Sequence, residues 1–248
     1  MATTPHVSAC PSTLAPEVPS DAEPDVTKTR RPRLSWKDAI AAWLLAWGGG
    51  AAIAIALLPI SRHSSFPSLS TYAAHAWFLA VALFWFFALR KRFPVGSFSR
   101  RGLRGWLWPC VVVGALILAA FPFIHGGSKS TGFVVAQELL SQAVLVGPTE
   151  EFVSRGLIQT ALNNSVAWSF GYRSVRLKGG TLLAAFLFGG AHLTNLIVQP
   201  LGAVLAQAAF AVLFGLVIGF LYDRTANLWG ASIFHDIVDG LQAVASFA

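Results

Sequence analysis

The sequence predicts an all-α fold, a polytopic membrane bundle of about seven transmembrane helices, on three observations. Hydrophobic residues make up 55% of the chain and charged residues only 12%, about half the charged fraction of a soluble domain. Mean hydropathy is +0.61. Nine Trp and nineteen Phe suit an exterior that faces lipid and carries aromatic belts at its two interfaces. The net charge of +7 would also suit nucleic acid, but the basic residues flank apolar segments. The expected partner is therefore the lipid bilayer and no nucleic acid. Cys10 and Cys110 lie in a polar tail and an apolar segment, with no zinc-type spacing.

Residues 1–33 hold Pro5, Pro11, Pro16, Pro19, Pro24 and Pro32 among Ser, Thr, Asp and Glu. That composition predicts a disordered cytoplasmic tail rather than a signal peptide, because no apolar stretch follows a basic start within it. Seven apolar segments follow, at about 38–60, 72–89, 106–124, 133–162, 180–198, 203–222 and 227–247. Most reach the roughly 18–25 residues that a spanning helix needs. The fourth is longer and projects past the bilayer at a polar end. The first three, over 34–132, form an N-terminal part, and 133–248 form the part that carries the unusual residues. Trp168, Phe170 and Tyr172 beside Arg173 and Arg176 read as an interfacial segment. Gly215 and Gly219 give a GxxxG packing face.

Lys and Arg set the orientation. With the N-terminus inside, the tail brings Lys28, Arg30, Arg31, Arg33 and Lys37 to the cytosol. The second connection brings Arg90, Lys91, Arg92, Arg100, Arg101 and Arg104, and later segments bring Arg155, Arg173, Arg176, Lys178 and Arg224. Only Arg62 and Lys129 remain outside. The positive-inside rule then predicts the N-terminus cytoplasmic and the C-terminus outside, and the expected location is a bacterial inner membrane.

Against this apolar background Glu150 and Glu151 stand out, since an acidic side chain at bilayer depth costs roughly 3 kcal/mol or more. A rise of 1.5 Å per residue puts Glu150, His192 and Asp239 each about 18 Å from the inner end of its helix, with His235 one turn shallower. Three helices thus bring rare polar residues to one level, expected in the cytosolic half around a cavity open to the cytosol. Glu151 and Arg155 are four apart and share a face. Glu150 is turned about 100° away, so Arg155 serves Glu151 and leaves Glu150 facing a cavity. A carboxylate without a countercharge in a low-dielectric pocket is the better proton acceptor, which makes Glu150 the expected general base. His235 and Asp239 share a face at the same spacing, as do Phe188 and His192. Pro148 removes a backbone donor just before the glutamates and is expected to kink the helix.

Taken singly, these features have ordinary readings: a lone membrane histidine is a packing residue, and Glu151/Arg155 alone is a structural ion pair. Glu138, His75 and Asp38 lie near predicted helix ends, where solvation explains them. His6, His63 and His125 receive no role. The joint pattern is what points to chemistry.

Those residues resemble the CAAX protease and bacteriocin-processing family of intramembrane endopeptidases, which includes the Rce1-like prenyl-protein proteases. The EExxxR motif reads Glu150-Glu151-Phe152-Val153-Ser154-Arg155, FxxxH runs from Phe188 to His192, and HxxxN/D from His235 to Asp239. The resemblance covers about 133–248. It implies that Glu150 and His192 activate a water for attack on a scissile carbonyl, that His235 and residue 239 stabilise the oxyanion, and that Arg155 holds Glu151. Ser154 stands where family members often have Phe, and Asp239 where Asn is commoner. An ionised Asp239 would repel an oxyanion, so it is either protonated or orients His235.

The expected function is hydrolysis of a peptide bond near the C-terminus, or in the leader, of a membrane-anchored protein or peptide. The family has also been called metalloprotease, and Glu150, His192 and His235 match a catalytic zinc set in ligand type. The reading favours no cofactor, since the sequence lacks an HExxH-like cluster, and keeps zinc as the alternative. Two other functional classes remain in view: a non-catalytic immunity or scaffold protein that binds a peptide in the same cavity, and a proton-coupled transporter.

Overall fold

The computed structural model describes residues 34–63, 69–89, 102–120, 132–172 and 175–247. The expected tail over 1–33, the basic residues Arg90, Lys91, Arg92, Arg100, Arg101 and Arg173, and Lys129 lie outside the described residues.

The apolar segments become helices because a backbone in lipid must satisfy its own polar groups. Among the described residues seven helical runs follow one another. α1 is Trp36–His63, α2 Leu69–Leu89 and α3 Arg104–Ala120. α4 covers 132–165 and is interrupted by π-helical segments at Ser141–Leu145 and Phe152–Gln159. α5 is Gly179–Ala191, prolonged by a 3-10 turn His192–Ile197. α6 is Leu201–Thr225 and α7 Leu228–Phe247. The all-α membrane bundle holds, with one addition. The stretch expected as an interfacial segment folds into an antiparallel hairpin, β1 Ser169–Tyr172 and β2 Val175–Lys178, with Ser169 opposite Lys178.

Four of the runs are long and apolar enough to cross a membrane on their own: α1, α2, α5 with its 3-10 turn, and α6. The other three runs do not reach that length and apolarity among the described residues, so the exact count of seven spans is not established by the helices alone. α4 and α7 carry the carboxylates Glu138, Glu150, Glu151, Asp236 and Asp239, and these lower the apolarity of the two helices that build the site. Phe84, Phe87, Trp108, Phe186 and Leu213 are exposed, the lipid-facing side of the bundle.

Small residues set the helix spacing, as expected where lipid competes with side chains for apolar contact. A Cβ on Gly189 would lie 2.4 Å from Val212 Cγ2 and 2.7 Å from the Ala208 carbonyl oxygen, so α5 and α6 touch backbone to backbone there. Gly219 packs the same way against Thr181 and Gln159, which gives the GxxxG face its packing role. One core cluster joins Trp47, Phe78, Leu157, Ile158 and Phe188, and a second joins Trp106, Ile218, Tyr222, Leu228 and Phe234.

The two ends of the bundle differ. At one end, Trp106 Nε1 donates to Thr225 Oγ1 at 2.9 Å, joining the start of α3 to the end of α6. Asn163 Nδ2 donates to Asp223 Oδ1 at 2.8 Å, and Thr181 Oγ1 donates to Asp223 Oδ2 at 2.5 Å. Lys178 adds an ion pair to Asp223 at 3.1 Å. Gln159 Nε2 donates to Thr181 Oγ1 at 3.2 Å and to the Gly219 carbonyl at 2.9 Å. The end of α4, the start of α5 and the end of α6 are thus fastened by one buried polar chain. Asp38, on the first turn of α1, caps it by accepting from the Ser35 N–H at 2.7 Å.

Candidate active site

The site is built where α4, α5 and α7 meet, one to two turns beyond that polar chain. Glu151 and Arg155 are fully buried, and Arg155 Nε donates to Glu151 Oε2 at 2.8 Å. The guanidinium lies over the Phe188 ring, 5.2 Å from its centroid, and reaches Gln159 Oε1 at 3.5 Å. The other oxygen of Glu151 faces His235 Nδ1 at 2.8 Å. Glu151 is thus more than a partner for Arg155: it anchors the histidine of the third motif. The sequence spacing could not show this, because the contact spans 84 residues.

His235 is buried, and its Nε2 faces Asp239 Oδ2 at 3.3 Å. Carboxylate oxygens flank both ring nitrogens. Such a ring needs an N–H on each side or a proton on one facing carboxyl. Phe188 and Phe214 hold the ring edge-on at 5.8 and 5.1 Å between centroids.

Glu150 points away from Arg155, but it does not lack a neighbour. His75 Nε2 on α2 lies 3.4 Å from Glu150 Oε1, and His75 is buried to 8% exposure. Solvation near a helix end therefore does not explain His75. Its Nδ1 faces the Thr71 carbonyl at 2.8 Å, which only accepts, so Nδ1 carries the hydrogen. Nε2 and Glu150 then make a hydrogen bond only by sharing one further proton. The available signal was a histidine within an otherwise apolar α2; counting from the helix end concealed it.

His192 closes α5. Its Nδ1 faces the Phe188 carbonyl at 3.0 Å, so in the neutral ring Nε2 bears the lone pair. The Phe188 ring stands edge-on to it at 5.3 Å. Asp236, given no role from the sequence, accepts from the Gly147 N–H at 2.9 Å through Oδ1. That bond locks α7 to α4 next to Pro148, where the helical ladder lacks a donor. The irregularity expected at Pro148 takes the form of π segments on both sides of the glutamates.

Glu150, His192, His235 and Asp239 line one cavity of about 720 Å³, together with His75 and Phe188. Glu151 and Arg155 sit behind its wall. Glu138 also lines it, accepting from Gln142 Nε2 at 2.9 Å. The cavity does not lead toward the end that carries the polar chain. From the level of His235 it continues past Gln142 and Glu138 on α4, Gln207 on α6 and Gln242 on α7, toward the opposite end. Among the described residues no three His, Cys, Asp or Glu side chains are grouped to hold a metal, and both nitrogens of His235 face carboxylates.

Fold and site together define an integral membrane protein with a polar, carboxylate- and histidine-lined interior cavity. Residues 131–241 match the family model described as type II CAAX prenyl endopeptidase Rce1-like. The match contains all three motifs, so the family resemblance read from them stands, and the activity the family implies is that of a CAAX-type protease. No curated protein and no solved structure matches the chain.

Proposed function

We propose that the protein is a metal-independent intramembrane endopeptidase in which Glu150 and His192 activate a water. The support is one observation: three helices far apart in sequence contribute Glu150, His192, His235 and Asp239 to a single cavity of about 720 Å³. The substrate is a membrane-anchored protein or peptide, cut near its C-terminus or within a leader.

Water between Glu150 and the His192 Nε2 lone pair loses a proton to Glu150 as its oxygen bonds to the scissile carbonyl carbon. The carbonyl π pair moves onto oxygen, and the Nε2–H of His235, whose ring lines the cavity, is the donor offered to that oxyanion. Collapse of the intermediate breaks the C–N bond while Glu150 returns its proton to the leaving amine, giving a carboxylic acid and a free amine; the acid then ionises by losing its proton to solvent. His75 positions Glu150, Glu151 and Asp239 hold His235, and Arg155 balances Glu151.

The test uses the purified protein in detergent with a candidate membrane-anchored substrate. Glu150→Gln and His192→Ala are each expected to lower kcat by roughly 10²–10⁴-fold, the range for loss of a general base. Undiminished cleavage in either variant refutes the assignment. Loss of activity in a chelator, with recovery on adding zinc, refutes metal independence.

A further inference from the structure

The direction in which the cavity opens carries a consequence for what the protein can cut. Cross-helix contacts fix which helix ends lie together. Trp36–Trp43 packs on Thr160–Ser165, Trp106 meets Thr225, and Asn163 meets Asp223. The starts of α1, α3, α5 and α7 therefore share one end of the bundle with the ends of α4 and α6. Further along, Gly147 meets Asp236 and Gly240 meets Ala143, so α4 and α7 run antiparallel away from that end.

Lys37, Arg104, Arg176, Lys178 and Arg224 all belong to this first end, and Arg62 belongs to the other. The positive-inside rule makes this the cytosolic end. Between it and the site the interior is closed by Ile158, Ala161, Leu162, Ala184 and Ile218, all buried, and by the Gln159–Thr181–Asp223 chain. The cavity is lined instead toward the far end, where it reaches Gln199. A cytosol-facing cavity, the expectation from depth along single helices, is incompatible with that arrangement.

We propose that the site is reached from the membrane face opposite the cytosol, and that its substrates are neutral or basic segments of membrane-anchored chains exposed on that face. The charge preference follows from the lining, which among the described residues includes Glu138, Glu150 and Asp239 and no Lys or Arg. The substrate class rests on the protease reading above; the direction of opening does not.

The test is cysteine accessibility in the full-length protein in bacterial cells, with Cys10→Ser and Cys110→Ala as background. Gln199→Cys reports the cavity mouth, and Val175→Cys, on the exposed β2 strand, reports the basic end. A membrane-impermeant maleimide is expected to label Gln199→Cys in intact spheroplasts and Val175→Cys only after lysis. The reverse pattern, or labelling of both before lysis, overturns the proposal. A membrane-anchored reporter with a basic cleavable segment on either face adds a second readout: cutting is expected only on the outer face. Outward labelling with no cutting of either reporter overturns the substrate class and leaves the direction standing. Cutting on the cytosolic face overturns the direction while the protease reading survives.

Discussion

Replacing Arg155 by Met removes one charge from a site with no water to take its place. Arg155 and Glu151 are both at 0% exposure, 2.8 Å apart, and the guanidinium also covers the Phe188 ring. Breaking a buried pair on one side costs about 3–5 kcal/mol, because the remaining charge is left uncompensated. For a chain of this size that corresponds to roughly 6–20 °C in Tm, at about 2–4 °C per kcal/mol. Thermal unfolding in detergent, followed by tryptophan fluorescence, measures it. The double variant Glu151→Leu/Arg155→Met removes both charges and is expected to regain much of the lost Tm, since an apolar pair of similar volume is often as stable. It stays inactive, because His235 Nδ1 loses the carboxylate that faces it at 2.8 Å. A Tm for Arg155→Met equal to wild type would refute the buried ion pair. Full activity in the double variant would refute the anchoring of His235 by Glu151.

His75→Leu is expected to fold and bind substrate with little change in KM but with kcat lowered and its pH profile displaced, because the proton shared with Glu150 is lost; an unaltered pH profile of kcat makes His75 a packing residue only. Asp239→Asn keeps an oxygen that accepts from His235 Nε2 and retains most of the activity, whereas Asp239→Ala loses it; steady-state cleavage of one substrate by both variants decides. Thr181→Val removes the donor to Asp223 Oδ2 and leaves Gln159 Nε2 only the Gly219 carbonyl, and is expected to cost about 1–3 kcal/mol of stability, with kcat per folded molecule unchanged in an assay normalised to folded protein. Gly189→Val drives a side chain into Val212 and the Ala208 carbonyl and is expected to lower Tm by an overpacking cost of about 1–3 kcal/mol or more.

The bundle, its apolar helices and the two-sided asymmetry of charge were legible in the sequence, because apolarity and basic flanks are local properties that the bilayer reads directly. So was the contact between Glu151 and Arg155, since a spacing of four puts two residues on one helical face whatever surrounds them. Helical rise also brought Glu150, His192 and Asp239 to a common level, and the structure has them lining one cavity. What stayed hidden needed a second helix. His75 reaches Glu150 across the α2–α4 contact, Glu151 reaches His235 across 84 residues, and Asp236 ties itself to Gly147. No periodicity within one segment encodes such contacts. The direction of the cavity was hidden for the same reason: depth along a helix is a length, while the open side is decided by which residues of neighbouring helices fill the space. Here the large apolar side chains and the Asp223 chain fill the basic end, and glutamines with small residues leave the other end hollow.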